Sequence, residues 1–160
     1  MARIEFPEHG LGEHVAWMLS RPEMAVGMVA FSEAVYGKTQ LPLRVRELAR
    51  YRIAQVNECP VCLATRAKDA DEHGITEDLY AHVDEWRTHE QYSERERLAI
   101  EFADRFAREP SGMDDDFWTR MRSAYEDDEI VDLTICCGMW LGLGRMQAVL
   151  GIHPTCEIRV

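Results

Sequence analysis

An all-α, single-domain helical bundle of about eight helices is what this sequence predicts, on three observations. Start and stop signals for helices recur along the chain, no stretch shows the strict apolar–polar alternation of a strand, and no low-complexity linker or fixed-period repeat divides the 160 residues. That length suits one domain spanning residues 1–160 and buries a sizeable core without disulfides. Hydrophobic residues make up 46% and charged residues 29%, as in globular proteins.

The elements follow in order. Residues 11–19 and 22–36 read as helices, the second with Pro22 in its first turn, where a missing N–H costs little. A loop from Gly37 to Leu41 leads to Pro42, which opens a helix to about Val56 with Leu48, Ala49, Ile53 and Val56 at helical spacing. Pro60 suits another first turn, predicting a helix from Cys59 to Gly74, and Thr76 caps the next, to about Trp86. Ser93-Glu-Arg-Glu96 has capping-box spacing and starts a helix to about Glu109. The acidic run Asp114–Asp116 favours a helix start that ends near Tyr125. A second acidic cluster, Glu126–Glu129, opens a long apolar helix that Gly151 and Pro154 close.

Charge and terminal sequence narrow the function. A net charge of −11 repels nucleic-acid phosphates and anionic membranes. Met1 to Pro7 lacks the apolar core of a signal peptide, and the apolar run from Ile130 to Leu150 is broken by Asp132, Arg145 and Gln147, which argues against a membrane span. The expected compartment is the cytoplasm, where five cysteines read as free thiols, catalytic thiols or ligands.

Cys59 and Cys62, in Asn57-Glu-Cys-Pro-Val-Cys62, carry the main chemical signal. Positions i and i+3 share a helix face, so the thiols can approach for a disulfide, and a helix N-terminus favours the reactive thiolate. On the residues alone the pair is a redox centre, half of a metal site, or an accident of spacing. Cys59, nearer the N-terminus, reads as the better nucleophile. His153-Pro-Thr-Cys156 has a spacing that would complete a zinc site with the pair, but its place at the end of the chain favours a frayed tail. Cys136 and Cys137 read as small core residues. Glu47, twelve residues before Cys59, is a solvated charge paired with Arg44, Arg46 or Arg50 unless a helix hairpin returns it to the thiols.

The stretch LPLRVRELARYRIAQVNECPVCLATRAKDADEHGI, with Glu47, Cys59 and Cys62, resembles the carboxymuconolactone decarboxylase-like family, which includes the alkylhydroperoxidase D proteins. YSERERLAIEFADRF and EDDEIVDLTICCGMWLGLGRMQAVLGI extend the likeness over about residues 20–152. The resemblance implies an alkylhydroperoxidase D-like bundle that assembles as a trimer or hexamer. It also implies a thiol-dependent peroxidase or disulfide reductase of antioxidant type, acting on a peroxide or disulfide. Cys62 would attack the peroxide, Cys59 would resolve the sulfenic acid to a disulfide, and an external dithiol would reduce it. Glu47 would be the base or proton relay. No resident cofactor or metal is implied.

One position departs from the family. Peroxidase members have a histidine four residues after the second cysteine, where this chain has Arg66. Arginine passes no proton at neutral pH but lowers a neighbouring thiol pKa by its charge. His73 is a nearby candidate substitute, although an ordinary helix-end histidine, favourable to the dipole, is the preferred reading. Two other functions stand beside the redox reading: a non-enzymatic helical oligomer that binds a small molecule or partner, and a lactone decarboxylase-like enzyme. The second gains nothing from vicinal thiols, although the arginines at 44–52 would suit an anion. The small residues Cys136, Cys137, Gly138, Gly142 and Gly144, with an apolar surface over residues 1–36, predict subunit contacts.

Overall fold

The computed structural model describes residues 2–7, 10, 12–154 and 158–160. Among these residues the fold has eight α-helices: α1 (Glu13–Leu19), α2 (Pro22–Lys38), α3 (Leu43–Asn57), α4 (Pro60–Leu63), α5 (Glu77–Ala81), α6 (Glu94–Arg108), α7 (Asp115–Ala124) and α8 (Asp127–Leu150). Two short strands, β1 (Thr65–Arg66) and β2 (Ile158–Arg159), pair in parallel.

Most helix ends are written in local chemistry. Thr76 accepts from the Leu79 amide, Asp114 from the Phe117 amide, and Ser93 forms a reciprocal capping box with Glu96. Glu126 and Glu129 form a second box at the start of α8, and Gly151, at φ 66°, ends that helix in the left-handed region where glycine carries no Cβ penalty. The second helix outruns its expected end, since Gly37 lies inside α2 rather than in a loop.

α3 is the axis of the bundle, packed chiefly against α6 and α8. Its Val45, Ala49 and Ile53 meet Leu98 and Phe102 of α6, Phe117 and Met121 of α7, and Leu133, Cys137 and Trp140 of α8 in the main core. Each fully buried side chain of this size contributes about 1.5–3 kcal/mol. A second core on the other side of α3 joins Leu48 to Ile75, Leu79, Tyr80, Val83 and Tyr92. By length and composition α8 passes as a membrane span. Here its Leu133, Cys136, Cys137 and Met139 are buried against the other helices.

The expected helix from Cys59 to Gly74 is one turn long. The carbonyls that a longer helix would use are taken by side chains. Thr65 Oγ1 donates to Val61 O, Arg50 Nη1 to Cys62 O, and Arg66 Nη1 to Leu63 O. The chain turns into β1, where Ile158 N–H donates to Ala64 O and Val160 N–H to Arg66 O. Residues 158–160 are therefore tied to the bundle and are not a frayed end. Cys156, weighed from the sequence as a zinc ligand and set aside, lies outside the described residues.

Candidate active site

The turn that carries the cysteines starts from a strained cap. Glu58, at φ 50°, is the C-cap of α3 in the left-handed region and the one non-glycine residue there among those described. This reversal lets Pro60 open α4 at once and makes Cys59 its N-cap, whose Sγ accepts from the Cys62 amide at 3.2 Å. The two cysteines are paired, with Cα atoms 5.3 Å apart. Cys59 is fully buried against Val61 and Ile152, with Phe6 and Trp17 packed alongside. Cys62 is half-buried and lines a cavity of about 180 Å³.

That cavity lies between α1, α2, α3 and α8 and is largely apolar, with Ile53, Met139, Trp140 and Leu143 in its walls. Its polar groups are few: His14, Ser32, Tyr36, Arg50, Thr65 and Gln147. Gln147 Oε1 lies 3.6 Å from Cys59 Sγ and 3.8 Å from Cys62 Sγ, where it accepts from either thiol once the pair is reduced. His14 Nδ1 is buried and has no hydrogen-bond partner among the described residues. Gly144 lets α8 press on the site, because a Cβ there would lie 2.7 Å from Asn57 Nδ2 and 3.1 Å from Cys62 Sγ. Asn57 is held in return by α8, donating to Leu141 O and accepting from Arg145 Nε.

Behind the cysteine turn sits a buried ion pair. Glu47, with no exposed surface, receives two hydrogen bonds from Arg50, at 3.0 and 2.9 Å, and one from the Tyr80 hydroxyl at 2.8 Å. Arg50 extends the network to the carbonyls of Cys62 and Thr65. Burial works against ionisation of Glu47, but the adjoining Arg50 charge and these hydrogen bonds outweigh it and hold the carboxyl below its ordinary range. Burial likewise opposes the charge on Arg50, and Glu47 outweighs it. Burial and the Glu47 charge push the Tyr80 hydroxyl up, so it remains a donor.

Of the residues singled out from the sequence, the fold brings Cys59, Cys62 and Glu47 into one neighbourhood, with Arg50 joining the carboxylate to the turn. Glu47 is not the solvated charge of the simplest reading. Its hydrogen bonds go to Arg50 and Tyr80, and neither sulfur is among its partners. Arg66 points elsewhere. It forms two hydrogen bonds with Glu77, at 2.7 and 2.8 Å, and its guanidinium lies 4.3 Å from the Tyr80 ring centroid. Arg66 does not pair with Glu47, and it is not a wall of the cavity. His73 ends a short 3-10 turn, is exposed and also lies away from the cavity. Cys136 and Cys137 are core, as expected; burial pushes the Cys136 thiol up to about 12 and that of Cys137 well above its ordinary value.

Sequence reasoning missed His14 and gave Gln147 only the role of interrupting an apolar helix. That interruption was the available signal. A polar residue on the buried stretch of an apolar helix needs a partner, and here it faces the sulfurs.

Comparison with known proteins agrees with this geometry. The chain is 28% identical over 107 residues to the uncharacterised YdfG of Bacillus subtilis, covering 66% of this chain and 73% of that protein. It is 34% identical over 109 residues to the uncharacterised YnjA of Escherichia coli, covering 68% of this chain and 59% of that protein. A crystal structure from Agrobacterium tumefaciens, of a protein of unknown function suggested to be an AhpD antioxidant defence protein, superposes with a TM-score of 0.79 at 22% identity, covering 97% of this chain and 99% of that one. The profile of the carboxymuconolactone decarboxylase family matches residues 22–105, which include α2, α3, both cysteines and most of α6. With more than half of its length matched by that profile, and with an alkylhydroperoxidase D-like helical fold around its cysteine pair, the chain belongs to the carboxymuconolactone decarboxylase family.

Proposed function

We propose that the protein is a thiol-dependent oxidoreductase of antioxidant type that reduces a peroxide, or a disulfide, through Cys62 and Cys59. The observation that carries this reading is the unequal placement of the pair. Cys62 faces the cavity and Cys59 is sealed behind it, so a substrate meets Cys62 first. The Cys62 thiolate attacks one peroxide oxygen and the O–O bond breaks. Sulfur becomes a sulfenic acid, and the leaving alkoxide takes a proton. The Cys59 thiol then displaces water from the sulfenic acid, and the disulfide forms. An external dithiol returns both thiols by exchange.

The walls assign the supporting roles. Gln147 orients the reduced thiols. His14 shares the cavity with Cys62 and is the group we assign to proton transfer, in place of the family histidine whose position Arg66 occupies. Glu47 acts as a positioning residue: it fixes Arg50, which grips the Cys62 carbonyl and holds the cysteine turn in place. The largely apolar walls suit an organic substrate with a small hydrophobic group.

The same reading includes a homo-oligomer, a trimer or hexamer. Val131, Ile135, Gly138, Gly142, Met146 and Val149 fall on one face of α8. The four large residues are 41–61% exposed, and a Cβ on either glycine would meet nothing within 4 Å. A second copy closes over that stripe. Light scattering at micromolar concentration tests it, and a mass near 18.5 kDa overturns it.

Peroxide consumption with a dithiol reductant tests the chemistry. Turnover is expected in the wild type and absent in Cys62→Ser. Brief peroxide treatment should remove two hydrogen atoms by intact mass, reversibly with dithiol. Turnover that survives in both Cys62→Ser and Cys59→Ser overturns the reading.

A further inference from the structure

On the opposite side of α3 from the cysteine cavity, the turns after α5 carry His82, Glu85 and His89. The spacing of three and then four residues keeps all three on one face of a helical path. The chain holds that path. Glu85 N–H donates to His82 O at 2.9 Å and His89 N–H to Glu85 O at 3.1 Å. Arg97 pins the segment from α6, donating to Trp86 O and His89 O. One ligand-capable atom from each of the three side chains lies within 4.8 Å of the others.

The two imidazoles lie against each other beside Glu85. Their rings stack with centroids 4.3 Å apart and planes 20° from parallel. His82 Nδ1 lies 2.8 Å from Asp78 O, and since a carbonyl only accepts, Nδ1 carries the hydrogen and Nε2 presents its lone pair. Metal-ligating histidines commonly make this outward bond from the second ring nitrogen, which sets the tautomer and the ring direction. His89 Nδ1 is buried without a hydrogen-bond partner. Such an atom costs free energy unless something occupies it. Neither ring is enclosed in a core, and Glu85 is exposed, so a cation reaches the cluster from solvent. Asp78 and Asp84 next to it, and the chain's charge of −11, attract that cation.

We propose that His82, Glu85 and His89 form a zinc-binding site. Two imidazoles and one carboxylate suit a borderline divalent ion in tetrahedral geometry, with water as the fourth ligand. An oxygen-preferring ion such as Mg²⁺ or Ca²⁺ gains little from two nitrogens. The site clamps the α5–α6 connection and is separate from the thiol chemistry.

Equilibrium dialysis of tag-free, oxidised protein against micromolar Zn²⁺ tests this, because the paired Cys59 and Cys62 then offer no thiolate. One equivalent is expected. His82→Ala and His89→Ala should each weaken binding roughly tenfold or more, the scale already lost when only an outer-shell partner is removed. Glu85→Gln alters an exposed side chain without touching the core, and it should weaken binding as well. His73→Ala, outside the cluster, should bind as wild type. Co²⁺ in place of Zn²⁺ should give the visible absorption of a tetrahedral centre, lost in His89→Ala. The proposal is overturned if wild type takes up no zinc at micromolar concentration. It is equally overturned if a variant lacking both His82 and His89 still binds one equivalent with unchanged affinity.

Discussion

The one-turn helix α4 is flanked by two arginine–glutamate pairs of the same chemistry and different surroundings. On the inner side, Arg50 and Glu47 have side chains 3% and 0% exposed. On the outer side, Arg66, 12% exposed, pairs with Glu77, whose side chain is 72% exposed. Both arginines also donate to carbonyls of the cysteine turn. An exposed pair is screened by water and contributes about 0–1 kcal/mol. A buried one leaves an uncompensated charge when broken, at a cost of about 3–5 kcal/mol. The pair open to water is therefore the weakly coupled one, and the pair that sustains the turn is out of sight of solvent.

The largest expected effect comes from breaking the inner pair. Glu47→Ala should lose about 3–5 kcal/mol in urea unfolding, since it strands the Arg50 charge and the Tyr80 hydroxyl. The pH dependence has a definite sign. The folded pKa of Glu47 lies below its unfolded value, so its contribution is complete above the ordinary carboxylate range and is lost as pH falls through the folded pKa. Stability should decline on acidification below about pH 4.5, and Glu47→Gln should flatten that decline. Glu96 and Glu101, also held low by arginine partners that outweigh their burial, supply the residual slope. An unchanged urea midpoint in Glu47→Ala would show that the inner pair is no stronger than the outer one.

A smaller loss is expected from Gly144→Ala. The added methyl group would sit 2.7 Å from Asn57 Nδ2 and 3.1 Å from Cys62 Sγ, so α8 must move or Asn57 must release its bonds. Overpacking of this kind costs about 1–3 kcal/mol. Thiol reactivity should fall with it, read as the rate of peroxide-driven disulfide formation. Gly142→Ala, with nothing within 4 Å, is the matched control in the monomer, and a loss there would instead report subunit contact.

The smallest effect belongs to the outer pair. Glu77→Ala, which breaks the pair from its exposed side, should cost under about 1 kcal/mol in unfolding, and its peroxide turnover should stay near wild type. Arg66→His should likewise leave the rate close to wild type, since the position faces Glu77 and Tyr80 rather than the cavity. A large gain in Arg66→His would bring that position back into the proton path and weaken the role given to His14.

Much of the fold was legible because it is written in short-range chemistry. The capping residues Thr76, Ser93, Asp114 and Glu126, and the terminator Gly151, act within four residues of themselves, so their effect survives without knowledge of the rest. The cysteine pair was legible for the same reason. Its spacing is a local property, and the N-cap geometry that joins Cys59 to the Cys62 amide spans three residues.

Tertiary contacts decided what those local rules leave open. The helix expected over 59–74 ended after one turn because Arg50, from α3, and the strand pairing at Ile158 claim its backbone groups from a distance. Local propensity carries no information about such competitors. The surroundings of Glu47 were open for the same reason: pairing with Arg50 was visible in the sequence, but burial depends on Tyr80, 33 residues away. His14 and Gln147 meet Cys62 only because α1 and α8 cross the same cavity. The sequence alone determined where helices begin and where a thiol pair stands. Only the packing of α1, α3 and α8 decided which thiol faces a substrate, because burial is a property of the whole bundle and not of any segment.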